Sequence, residues 1–141
     1  MYPVGVTLAE VMHVHIPTLS PDSTFRDAVD KMDIYQFPGL VVVNHDKAPV
    51  AVVMEGDLVR ATAQNREMLS LSNSRASDFG TPSPTTANPA MEVADALDLM
   101  ISQGLTLLPI VMDGRLAGVV LRMDLMQALL MDAVTPLPDR D

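Results

Sequence analysis

The 141-residue chain has no cysteine and no tryptophan. The first absence excludes disulfides and any thiolate zinc site. It also suits a cytoplasmic location, which is the one expected. Aromatic residues make up only 4% of the chain, whereas methionine occurs 11 times. The core must therefore be aliphatic, filled by Val, Leu, Met and Ala. Basic residues are scarce as well, with 9 Lys plus Arg against 18 Asp plus Glu and a formal net charge of −9. So few cations cannot track a phosphate backbone, and nucleic-acid binding is not expected. No run of apolar residues approaches the ~18 needed to cross a bilayer, so no membrane insertion is expected. Met1 to Glu10 lacks the basic residue that opens a signal peptide. No cysteine nucleophile, G-x-S-x-G elbow, P-loop or H-E-x-x-H motif occurs, so an enzyme is not expected.

What remains is a folding chain, 48% apolar and 19% charged. It repeats itself. Aligning Ala28 with Ala96 sets an offset of 96 − 28 = 68, which also pairs Thr18 with Thr86, Pro21 with Pro89, Asp27 with Asp95, Asp30 with Asp98 and Met32 with Met100. Six identities in the fifteen positions 18–32 exceed the one or so expected by chance. The offset also pairs Leu40 with Leu108 and Val43 with Val111. After the following polar turn it becomes 124 − 57 = 67, pairing Val52 with Val119, Val53 with Val120, Asp57 with Asp124, Leu58 with Leu125 and Ala61 with Ala128. A turn is where a change of length costs least.

Each copy reads as β-α-β-β-α. A short helical lead, Thr7 to Met12, opens the first copy. Ser20 and Asn88 are expected as N-caps, with Pro21 and Pro89 at the first helical position. Phe25, Ala28, Val29 and Met32 recur at helical spacing, as do Val93, Ala96, Leu97 and Met100. Leu40 to Val43 and Val50 to Met54 read as buried strands. Leu108 to Met112, the turn Asp113–Gly114, and Leu116 to Leu121 read as a hairpin. A closing helix is expected after Asp57 and after Asp124. A small sheet with helices on one face leaves its other face apolar, so the two copies are expected to pack as a pair. The expected divisions are a first domain at 7–62, a linker at 63–74, a second domain at 75–131 and a loose tail at 132–141. The fold class is α+β.

The second copy closely resembles the CBS domain. Gly104, Leu105, Leu108, Pro109 and Ile110 match the family's approach to its first strand. Gly118, Val119, Val120 and Asp124 match the G-h-h-[S/T]-x-x-D motif before the last helix. The first copy resembles the family less well. The motifs are loose, and their order, twice over, is the specific signal. The resemblance implies a pair of units with two clefts between the copies, often dimerised. It implies no catalysis, but binding of an adenosine-type ligand such as AMP, ADP, ATP or S-adenosylmethionine, with modulation of a partner protein not identified by the sequence.

In the family the motif Asp accepts hydrogen bonds from the ribose diol, a task for an acceptor-only carboxylate. Asp57 and Asp124 hold that place; Asp at a helix start also serves as a cap whatever the ligand. The family's phosphate donor is a Ser or Thr, and here Met54 and Leu121 replace it. The first copy also has Ala51 for the glycine and Val41 for the proline, with Glu55 repelling an anion. The second keeps Gly118 and Pro109 and adds Arg122, which can hold phosphate bidentately or be merely an exposed side chain. A nucleotide is therefore expected beside Asp124, Arg122, Gly118 and Val120. The backbone of Leu105, Thr106, Leu107 and Leu108 would take the adenine, with Thr86 at the entrance. A first site with Phe37, Gly39 and Asp57 is expected to be empty or to take something else. Two other readings stay open: a ligand-free dimerisation or docking module, and a metal-responsive module using His13, His15 and His45. No cofactor is expected beyond the regulatory ligand.

Overall fold

Residues 5–65 and 67–134 are described by the computed structural model. The two hairpins set the frame. Strand β2 (Gly39–Val43) runs antiparallel to β3 (Pro49–Met54), with a bulge at Val42/Val43. The Asn44 side chain braces the turn by accepting from the Asp46 and Ala48 amides at 2.9 and 3.0 Å. The second hairpin, β5 (Leu107–Met112) and β6 (Arg115–Leu121), closes on Asp113 and Gly114. Both have positive φ, 54° and 77°, as a two-residue turn matching strand twist requires.

Helices begin later than their proline signals suggest. Helix α2 (Phe25–Tyr35) is capped by Thr24, whose hydroxyl accepts from the Asp27 amide while the Asp27 carboxylate accepts from the Thr24 amide. That backbone bond holds the Asp27 carboxyl below its ordinary value. Ser20 instead forms a turn with Ser23. Likewise α5 (Val93–Gln103) follows Glu92, while Asn88 accepts from the Ala90 amide. Ser20 and Asn88 are thus turn residues, not caps: their side chains bond within the turn, and Pro21 and Pro89 lie in it too. The closing helices α3 (Glu55–Gln64) and α6 (Arg122–Val134) start ahead of Asp57 and Asp124, not after them. Each aspartate thus sits at the third helical position. Helix α6 also extends three residues into the expected tail; 135–141 lie outside the described residues.

The chain divides into two units, and they do not follow the sequence copies. One takes the described residues up to His15, Thr86–Asp113 and those from Ala117; the other takes Ile16–Thr85 and Gly114–Leu116. We call them the Asp124 unit and the Asp57 unit. Helix α1 (Leu8–Val11) opens the first copy yet belongs to the Asp124 unit. There Leu8 is fully buried in one cluster with Ala96, Met100 and Leu125. The 3-10 turn Ala76–Phe79 opens the second copy yet belongs to the Asp57 unit, where the Phe79 ring meets Phe25 edge-on at 5.6 Å. At the offset of 76 − 8 = 68, Leu8 and Ala76 are equivalent, so the copies exchange their leads. The stretch expected as a linker carries the end of α3 and helix α4 (Met68–Ser72), whose Leu71 is fully buried.

The exchange extends to the sheets. In the Asp57 unit the order is β1-β2-β3-β4, with β1 (Thr18–Leu19) parallel to β2 and β4 (Thr81–Pro82) antiparallel to β3. In the Asp124 unit β5 and β6 are flanked by single bridges, Ala87 parallel to Ile110 and His13 antiparallel to Val119. These are the repeat equivalents of Leu19 with Val42 and Thr81 with Val52. Ala28 and Ala96, which define the repeat, are both 0% exposed.

The exchanged lead yields a direct test. Leu8→Ala should cost about 2–5 kcal/mol, read as a lower denaturation midpoint. An unchanged midpoint would mean that Leu8 contributes nothing to the second copy's core.

Candidate functional site

At a helix start the first amides lack intrahelical partners. Met54 and Leu121 precede α3 and α6 and have no side-chain oxygen to offer. The carboxylate three residues on supplies what is missing. Asp57 Oδ2 accepts from the Met54 amide at 2.8 Å, and Asp124 Oδ2 from the Leu121 amide at 2.8 Å. A carboxylate there also suits the positive end of the helix dipole. Both motif aspartates therefore have a capping role within the fold itself.

Their remaining partners differ. Asp57 Oδ1 is held by Arg60 of its own helix at 2.8 Å. Asp124 Oδ2 also bonds His13 Nε2 at 2.9 Å, across 111 residues of sequence. Because a carboxylate only accepts, Nε2 carries the hydrogen. The Asp124 side chain is 24% exposed and that of Asp57 15%, so Asp124 is the more accessible of the two.

His13 is fixed by its backbone. Its amide donates to the Val119 carbonyl at 2.9 Å, and the Val119 amide donates back at 3.1 Å. Gly118 permits this approach: a Cβ there would lie 2.6 Å from the His13 carbonyl oxygen. Gly118 thus serves the packing of the edge bridge. Arg122, the first residue of α6, is exposed at the same corner.

The other expected residues of this unit fall into two groups. Thr86 is exposed and lies beside β5, because Ala87 next to it donates to the Pro109 carbonyl at 3.0 Å. Leu105 and Thr106 are half-buried in the approach to β5, and Leu107 and Pro109 are buried within it. Leu108 and Val120 are 0% exposed. Their side chains belong to the core cluster of this unit and are not open to a ligand, as an apolar residue on the inner face of a central strand must be.

In the Asp57 unit the expected residues stand in different surroundings. Phe37 lines a cavity of about 790 Å³ between α2 and α3, with Phe25, Val29, Met32, Leu58 and Val59. Asp57 opens on a separate recess of about 240 Å³ with Arg60, Asn65 and Phe79. Gly39 is buried against the Met54 sulfur, where a Cβ would collide. Phe37 and Asp57 thus line separate recesses of this unit. Among the described residues no group of three His, Cys, Asp or Glu is placed to hold a metal ion. His45 pairs with neighbouring Asp46 at 3.4 Å in the first hairpin turn. His13 was not expected as a partner of Asp124. The signal lay in the repeat, since 81 − 13 = 68 places it level with edge residue Thr81.

The CBS domain family model matches this chain twice, at residues 8–64 and 76–131. The chain belongs to that family and is a tandem CBS pair. An uncharacterized 17.7 kDa protein of Acidianus ambivalens is 30% identical over 128 residues, covering 90% of this chain and 75% of that one. An uncharacterized protein of Methanopyrus kandleri is 32% identical over 125 residues, covering 87% of this chain and 62% of the relative. The chain thus falls short of two thirds of that relative's length. Among solved structures, Arabidopsis thaliana CBSX2 in complex with AMP has a TM-score of 0.80 and 25% identity, covering 92% of this chain and 99% of CBSX2. No helix among the described residues is long and apolar enough to cross a membrane.

Gly118→Ala tests the close approach at this corner. The new methyl meets backbone, which cannot swing aside, so a loss of about 1–3 kcal/mol in unfolding free energy is expected. Full stability in a denaturant titration would contradict the tight packing.

Proposed function

We propose that this chain is a cytoplasmic regulatory module that binds an adenosine-type ligand beside Asp124 and adjusts a partner protein, without catalysing a reaction itself. The observation that carries this reading is the contrast between the two motif aspartates. Asp57 is drawn into an ion pair within its own helix. Asp124 is more accessible, and the exposed Arg122 stands two residues before it at the start of α6. A carboxylate accepts from a ribose diol, and a guanidinium can grip a phosphate bidentately. Arg122 would then do the work that Leu121 cannot, as Leu121 has no donor. The backbone of Leu105 to Leu108 would meet the adenine, and Thr86 would stand at the edge. The AMP bound by CBSX2 supports this ligand class.

Calorimetric titration with AMP, ATP and S-adenosylmethionine tests it. Asp124→Ala should weaken binding of the preferred ligand at least about tenfold, the scale of a lost charged hydrogen bond. Asp57→Ala should leave it nearly unchanged. Equal heats from wild type and Asp124→Ala would remove the assignment.

Exposed apolar side chains favour a second property, self-association. Ile34, Tyr35 and Val59 stand exposed on α2 and α3, and Ile101, Met123, Met126 and Leu130 on α5 and α6. Surfaces of this kind mark interaction sites. Two copies are expected to pair through such helix faces, giving a dimer mass by light scattering that Val59→Glu reduces towards the monomer. A monomeric wild type would leave these faces to a different protein.

A further inference from the structure

The ligand reading above leaves one observation unused: one of the two carboxylate oxygens that a ribose diol would use already has two partners. An ionised carboxylate oxygen has about two lone-pair directions. On Asp124 Oδ2 they are taken by the Leu121 amide at 2.8 Å and by His13 Nε2 at 2.9 Å. The first bond caps α6 and cannot be given up without exposing a helix-end amide. The second comes from a side chain that is 43% exposed, so a ligand arriving from solvent can reach it. His13's main chain stays in place meanwhile, held by its two bonds to Val119 and the close approach over Gly118. The arrangement is therefore a fixed backbone carrying an exposed imidazole.

Resting on the proposal that a nucleoside binds beside Asp124, we infer that His13 is a specificity-determining residue of that site, a latch that competes with a vicinal diol for the Asp124 carboxylate. A diol uses both carboxylate oxygens when it binds face to face. To do so here it must displace the His13 N–H from Oδ2. A ligand offering a single hydroxyl, or none, need not disturb the imidazole. His13 thus lowers the advantage a ribonucleoside gains over an analogue without the diol. The Asp57 unit has no such latch from its edge strand: the equivalent residue is Thr81, and the second partner of Asp57 is Arg60 from its own helix.

The test compares adenosine with 2′,3′-dideoxyadenosine by calorimetry on the full chain. Both probes are uncharged, so Arg122 and phosphate do not enter. The ratio of the two affinities is read for wild type, His13→Ala, His13→Gln and His15→Ala. For His13→Ala the preference for adenosine should rise roughly tenfold over wild type, the scale of one charge-assisted hydrogen bond no longer displaced. Dideoxyadenosine affinity should be unchanged. His13→Gln, which keeps an N–H donor on a side chain of similar reach, should return the ratio towards wild type, and His15→Ala should match wild type. A ratio that is unchanged or lower in His13→Ala overturns the latch and leaves the nucleoside site standing. Failure of every variant, wild type included, to bind adenosine removes the site and the latch together. Thermal unfolding of His13→Ala near the wild-type midpoint shows that the comparison is between folded proteins.

Discussion

Neither copy of the repeat closes its own core, and the rest of the architecture follows from that constraint. Each sheet-and-helix unit is completed by a segment that the chain delivers from ahead of the other copy. Leu8 fills the cluster around Ala96 and Met100, and Ala76 with Phe79 fills the one around Phe25. The same segments supply the outer sheet partners, His13 for Val119 and Thr81 for Val52. A five-element repeat of about sixty residues buries only a marginal share of its surface. Exchanging leads enlarges the core of each unit with a segment of the other copy.

The motif carboxylates show how one group can serve both fold and ligand. Asp57 and Asp124 close the first turn of their helices by bonding back to Met54 and Leu121. A capping carboxylate is held in a fixed orientation at a corner where strand gives way to helix. That is also what a binding site asks of an acceptor, since an oriented group loses little freedom when a ligand arrives. The two sites have diverged through the second partner, an arginine one turn along the same helix in one and a histidine from a distant edge bridge in the other.

Much of this was legible in the sequence, because local spacing and repetition record it. The pairing of Ala28 with Ala96 and the hairpin signal Asp113–Gly114 both identify elements that the structure contains. The helix starts were misplaced because Pro21 and Pro89 are equally at home in a turn, whereas the T-x-x-D box at Thr24 and Asp27 is the sharper mark. The site was less readable. The His13–Asp124 contact spans 111 residues, and no local pattern encodes it. Motif order does not say which recess a residue lines; the face of a helix decides that, and Phe37 and Asp57 line different ones. Leu108 and Val120 match the family pattern because the core needs them, which sequence alone does not distinguish from a ligand's need.

The crossed leads also bear on how the chain is made. Leu8 leaves the ribosome early, yet the hydrophobic cluster that buries it includes Leu125. During translation helix α1 must wait, its apolar side uncovered, while more than a hundred residues follow. Contacts of such long sequence separation form slowly, and an uncovered apolar segment is open to aggregation or chaperone capture. The Asp57 unit, assembled almost wholly from Ile16–Thr85, can take shape while the remainder is still being synthesised.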